Sequence, residues 1–240
     1  MKISGIIIGI GILSLTACSP KYYVSNTQNV PLLSEKGEID LTLAGSGEKV
    51  EFQGAYAVTE HLGLKANGGL FIPANLDNGN GGSGKFIELG AGYFTKINQS
   101  ENWIFETYGI VGIGSMENHL PSTLTDYPTS TGKIAANLLR IGIQPNIGYK
   151  TDYFTIALSS RFVHLSYDKI NGDLYFDNKQ QTDYLRDHAS NILIEPALTI
   201  KGGFERIKLQ LQYGYSFNVT DINFRQEQPF VSLGLNFKFR

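Results

Sequence analysis

Cysteine is nearly absent. Cys18 is the only one in 240 residues, so no intrachain disulfide can hold the fold. Charge is sparse at 18% of residues, the formal net charge is -2, and no basic stripe is present, which argues against a nucleic-acid partner. Long apolar runs are missing too. The greasy stretch at residues 3–15 is about 13 residues long, where a membrane-crossing helix needs about 20. No GxGxxG, P-loop, HExxH, CxxC or GxSxG spacing occurs, and His61, His119, His164 and His188 lack metal-ligand spacing. The sequence therefore calls for no cofactor and no metal, and assigns no catalytic residue.

What is present is alternation. Ile192, Ile194, Pro196, Leu198 and Ile200 take every second position, followed by Ile207, Leu209, Leu211, Tyr213, Tyr215 and Phe217, and then Val231, Leu233, Leu235, Phe237 and Phe239. A period of two means strands with unlike faces. The same reading predicts strands over 38–44, 49–58, 62–72, 86–95, 103–113, 134–148 and 153–165. Ten strands are expected, with eight as the alternative count because the first pair is the least secure. The dense glycine and asparagine of 77–84 read as a loop, as do 114–133 and the Asp-rich 168–190.

From the second strand on, connections alternate in length; the short first connection, Gly45-Ser46-Gly47, is the exception because it falls on the long-loop rim. Those at 59–61, 96–102, 149–152 and 201–204 are short, whereas 73–85, 114–133, 168–190 and 218–228 are long. Short turns on one rim and long loops on the other are the asymmetry of bacterial outer-membrane barrels, with the long loops outside. The fold class expected is all-β, a closed antiparallel transmembrane β-barrel over residues 37–240. Both ends of the barrel fall on the short-turn, periplasmic rim.

The second face decides between lipid and water. A soluble barrel should turn Lys and Glu outward, but here that face carries Gly90, Gly92, Gly112, Gly142, Gly148, Gly214 and Gly234 with few charges. Small polar residues suit a narrow lumen, and the apolar set then faces lipid. Trp103, Tyr149, Tyr153, Phe154, Phe217, Phe230, Phe237 and Phe239 near strand ends suit interfacial girdles. Projection into the lumen places Glu38, Asp40, Glu51, Glu88, Glu106 and Glu195 opposite Lys65, Arg140, Arg161, Lys208 and Lys238. The expected role is a salt-bridge network that fills the barrel and fixes register, centred on Glu88, Glu106, Arg140, Arg161, Glu195, Lys208 and Lys238.

The N-terminus is a different kind of sequence. Lys2, the apolar run and Leu15-Thr16-Ala17-Cys18 form a secretion signal over residues 1–17. Leu-Thr-Ala-Cys resembles the bacterial lipoprotein box, which implies removal of the signal and acylation (palmitate-type chains) of Cys18. By the same resemblance, Ser19 is similar to outer-membrane sorting rather than inner-membrane retention. Residues 18–36, with Pro20, Asn26, Asn29 and Pro31 and no period, read as a lipid anchor and periplasmic tether. The run Asn29-Val30-Pro31-Leu32-Leu33-Ser34-Glu35-Lys36-Gly37-Glu38 resembles the segment after the anchor in exported barrel proteins of the Bacteroidota. The remainder is similar to that group's outer-membrane barrels in pattern alone.

The expected function is that of a small outer-membrane β-barrel lipoprotein, structural or binding a ligand or partner through loops 114–133 and 168–190. Its lipid partners would be those of the outer membrane. Three other readings stay open: a narrow solute channel, a rim hydrolase or lipid-modifying enzyme, and a tethered lipocalin-like soluble barrel. For the enzyme, His119, His164 and His188 share the long-loop rim with Asp126, Asp168, Asp173, Asp183, Asp187, Ser115 and Ser166. The same stretch holds Tyr167, Tyr175, Phe176 and Tyr184 which, with Tyr127, would form either a binding surface or packing between loops.

Overall fold

Alternation makes the strands, and backbone pairing closes them into a ring. The computed structural model describes residues 20–72, 81–97, 102–120 and 131–239. Cys18, the signal region, Asp126 and Tyr127 lie outside the described residues. The wall begins with β1 (Ile39–Ser46), β2 (Lys49–Ala57), β3 (Leu62–Phe71), β4 (Gly81–Lys96), β5 (Trp103–Leu120), β6 (Gly132–Lys150) and β7 (Phe154–Gly172). A small insertion follows: β8 (Tyr175–Phe176), β9 (Lys179–Gln180) and α1 (Gln181–Asp187). The wall resumes with β10 (Ser190–Gly203) and β11 (Ile207–Tyr215), then β12 (Phe217–Asn218) and β13 (Pro229–Phe239).

Sequence neighbours pair antiparallel around the ring, and the first strand meets the last, from Ile39 opposite Phe239 to Gly45 opposite Leu233. The barrel has ten strands, β12 being a short continuation beside β10. The eight-strand alternative is excluded by β1 and β2, which pair from Ile39–Tyr56 to Ser46–Lys49. A closed wall leaves no edge whose unpaired backbone groups would meet hydrocarbon.

The outward face is apolar on every side, with Leu209 68% and Leu233 66% exposed alongside Leu43, Phe52, Leu64, Leu89, Ile113, Ile141 and Leu158. The inward face holds the buried ions and amides. A lipocalin-like barrel would have these faces exchanged, so that reading is corrected. The molecule is a closed ten-stranded β-barrel with the apolar outer face that a lipid-spanning wall requires. Among the described residues no helix is long and apolar enough to cross a membrane. At the rims Trp103 meets Tyr149 edge-on at 5.6 Å between centroids, and Tyr153 and Phe154 stand exposed. Phe230 is a correction: its even position in β13 points it inward, buried, with the Lys49 ammonium 5.6 Å from its ring centroid.

Four strands reach further outward than the sequence predicts. Gly81 to Gly84, expected in a loop, pair with His119 to Met116, and residues 114–120 of the expected loop 114–133 belong to β5. Here the register of the neighbouring strand overrides weak local preference. The expected polar loop 168–190 is also largely folded. β7 continues to Gly172, and Asp177 and Asn178 both take positive φ (53° and 57°), as a tight two-residue β8–β9 turn requires. Leu174 and Leu185 are fully buried beneath this insertion, packing with Ile134, Leu165, Leu193 and Phe224. The insertion and the loop at 219–227 make a cap over the long-loop mouth.

Candidate functional site

The lumen is occupied by the chain's own N-terminal segment. Residues 22–33 are buried within the wall, apart from the partly exposed Val24. The tether expected outside the barrel therefore runs inside it. About a dozen extended residues reach about 40 Å, enough to traverse a bilayer of about 40–45 Å nearly from face to face.

The segment starts at the long-loop rim. Asn118 Nδ2, near the outer end of β5, donates to the Lys21 carbonyl at 2.8 Å, and the Lys21 ammonium lies 3.7 Å from Glu227. Tyr22 N–H donates to the Arg225 carbonyl, Glu227 N–H donates to the Tyr23 carbonyl, and Tyr23 forms a parallel bridge with Gln226. The Tyr22 hydroxyl donates to Gln181 of α1 at 2.8 Å, and Tyr167 donates to the Tyr22 carbonyl. Arg225 stacks over both Phe176 and Tyr184, so these aromatics pack the cap together. Burial pushes the Glu227 carboxyl above the usual carboxylate range, with Lys21 opposing.

At the waist the wall's ions grip Asn26. Arg140 and Arg161 each donate to its side-chain oxygen at 2.7 Å, and Arg161 also donates to its carbonyl at 2.8 Å. Arg161 Nε is 2.9 Å from Glu195, with both side chains fully buried, while Arg140 pairs with Glu88. Glu195 accepts from Tyr23 and Ser25. Buried charges of this kind are tolerable only when paired and fully hydrogen-bonded.

Below Asn26 the wall reads the segment's backbone. Gln212 accepts from Gln28 N–H at 2.7 Å and returns a bond to its carbonyl at 2.9 Å, which imitates strand pairing with one side chain. Glu51 accepts from Thr27 N–H, Gln53 donates to the Thr27 carbonyl, and Gln144 donates to the Asn29 carbonyl. Near the short-turn rim both oxygens of Glu106 accept from Leu32 and Leu33 N–H, at 3.2 and 3.3 Å. Leu32 holds φ of 48°, a left-handed conformation costing about 1–2 kcal/mol for a residue with a Cβ. The Lys150 ammonium on the Leu32 carbonyl helps to offset this. Two wall glycines make room: a Cβ on Gly148 would stand 2.5 Å from the Leu32 methyl, and one on Gly63 would stand 2.8 Å from the Leu33 methyl. Ser34 then donates to Glu38, Gly37 turns at φ 85°, and the chain enters β1.

The seven network residues named from sequence all lie on the inner wall. Glu88 with Arg140, and Glu195 with Arg161, are joined through Asn26; Glu106 serves the lower end; Lys238 lies 3.4 Å from Glu38; Lys208 donates to the Glu205 carbonyl. Sequence reasoning missed Lys49, Lys150 and Lys201, which pair with Glu51, Glu38 and Asp40. These lysines sit at strand ends, and their long stems carry the charge inward. With them the buried wall carries eight basic and six acidic groups among the described residues, counting Lys49, Lys65, Lys150, Lys201, Lys208, Lys238, Arg140 and Arg161 against Glu38, Asp40, Glu51, Glu88, Glu106 and Glu195.

The rim histidines form two separate pairs. His164 Nε2 lies 3.0 Å from the Ser190 hydroxyl on the exposed face, and His188 Nδ1 lies 2.6 Å from Asp221 in the cap, 4.4 Å from the Tyr184 ring. Neither pair extends to a Ser–His–Asp chain among the described residues. The Asp-rich stretch is dispersed, Asp173 accepting from Lys133 N–H and Asp183 pairing with Arg186. Among the described residues no three His, Cys, Asp or Glu side chains group to hold a metal ion.

No family model matches the chain, and no curated protein matches it. Solved outer-membrane proteins share its general architecture at a distance. The KdgM porin in complex with disordered oligogalacturonate is 12% identical with a TM-score of 0.39, over 85% of this chain and 99% of that one. The COG4313 outer membrane channel from Pseudomonas putida F1 is 12% identical with a TM-score of 0.38, over 89% and 98%. LpxR from Salmonella typhimurium is 8% identical with a TM-score of 0.37, over 84% and 99%. At these values the likeness transfers nothing to this chain.

Proposed function

We propose that this protein is a self-sealed outer-membrane barrel lipoprotein of the Bacteroidota type that works at its outer cap, as a structural or ligand- and partner-binding protein. One observation supports the reading above the others: residues 20–34 fill the lumen with hydrogen-bonded polypeptide, so the barrel offers no standing passage. A narrow channel for solutes would need that segment to leave. A rim hydrolase would need its two histidine pairs to be brought together.

The test is electrical. In planar bilayers the full chain should give no ion steps, and a variant lacking residues 20–34 should give them. Equal, steady conductance from both would overturn the sealed reading in favour of the channel. Acylation at Cys18 is part of the same proposal, supported by the Leu15-Thr16-Ala17-Cys18 box. Metabolic labelling with an alkyne fatty acid should mark the protein and vanish in Cys18→Ala.

A further inference from the structure

We infer that the N-terminal end of the mature chain is displayed on the extracellular face, so that lipid carried by Cys18 enters the outer leaflet from outside. This reverses the periplasmic anchor expected from sequence. The expectation assumed that the chain enters β1 directly from the side where β1 begins. The segment instead runs from Ser34 beside Glu38 at the short-turn rim, past Arg140 and Arg161, to Lys21 beside Glu227 at the long-loop rim. Long loops mark the outer side of such barrels.

The upper end is held there by groups belonging to the outer cap and strand tops: Asn118 on the Lys21 carbonyl, the Arg225 and Glu227 backbones on Tyr22 and Tyr23, and Gln181 on the Tyr22 hydroxyl. Only Ser19 separates Pro20 from Cys18, a span of about 7 Å at full extension. That length is far too short to return through the barrel to the inner leaflet. The bond from Asn118 also directs the exit toward the top of β5, at the wall rather than over the centre of the mouth. An acyl chain leaving there meets the outer leaflet, where each buried CH2 contributes about 0.8 kcal/mol.

The sidedness follows from the segment's path, while the lipid clause rests on the lipoprotein reading above. The test separates them. Single cysteines replace Lys21, Lys36 and Thr220 in the full chain, folding is checked by heat-modifiable migration, and intact cells receive a membrane-impermeant maleimide. Lys21→Cys should label as fully as the outer-loop marker Thr220→Cys, and Lys36→Cys only after the outer membrane is permeabilised. If Lys21→Cys labels only after permeabilisation while Thr220→Cys labels on intact cells, the inference is overturned. Labelling of none of the three on intact cells would overturn the outer-membrane reading with it. The parent chain, treated alongside, reports a free thiol at Cys18. Its labelling would remove the lipid clause, and the sidedness would then be read from the same three cysteines placed in a Cys18→Ala background.

Discussion

The two halves of the lumen are built on opposite principles. The outer half is packed like the core of a water-soluble domain, with Tyr22, Ile110, Leu120, Ile134, Val163, Leu165, Leu174, Leu185, Leu193 and Phe224 in one buried cluster. The waist is almost wholly polar, with Arg161, Glu195, Arg140, Glu88, Gln212 and Asn26 locked by hydrogen bonds. Apolar packing is non-directional and suits a cap that must close over a mouth. Hydrogen bonds between ions and amides are directional and expensive to leave unmade, so they set one register for the segment at the waist. The upper half covers the mouth, and the waist makes the seal by fixing which residue of the segment sits where.

Three substitutions or conditions would sharpen that contrast. The largest effect is expected from Arg161→Leu, which strips Asn26 of two bonds and leaves Glu195 buried without its ion pair. Removing one partner of a buried pair costs about 3–5 kcal/mol. The segment should lose its register, and ion steps should appear in bilayers where the parent shows none. Leu185→Ala acts on the other half. A cavity of that kind costs about 2–5 kcal/mol, here confined to the cap. Limited proteolysis should cut within residues 173–189, with the bilayer recording still silent. Conductance from Leu185→Ala alone would mean that the cap, rather than the waist, makes the seal.

The smallest effect concerns pH at Lys21 and Glu227. Because burial raises the Glu227 carboxyl above its ordinary value, the docked state binds the proton more tightly than the free one. Docking of residues 21–23 is thus relatively favoured in acid and weakens as pH rises through the raised value. Hydrogen exchange at Tyr22 N–H in the parent should quicken, beyond the intrinsic base dependence, as pH rises. A trend of opposite sign would remove this account of the rim.

The wall was legible because a strand spanning lipid must alternate, and Leu209, Leu211 and Leu233 stand outward as that period requires. The inner charges were legible by the same phase, from Glu88 to Glu195. The segment at 20–34 was not. It pairs with side chains such as Gln212 and Glu106 rather than with a neighbouring strand, so nothing imposes a period on it. Its asparagines and prolines resemble any linker. Nor was the cap legible, since Leu174 and Leu185 are isolated apolar residues among aspartates whose partners lie elsewhere in the chain. Phe230 was misplaced because an aromatic near a strand end suggests a girdle, whereas its parity in β13 turns it beneath Lys49.

A cord that already runs through a ring constrains how the ring was made. If the wall zipped shut first, the N-terminal end would have to be drawn past Arg140 and Arg161, through a gate of ions. The seam between Ile39–Ser46 and Pro229–Phe239 offers the other order. In that order the remaining strands would curl around the N-terminal stretch as a template, and the first and last strands would join only once it was inside. The lumen is then less a cavity later filled than a mould cast around its own beginning.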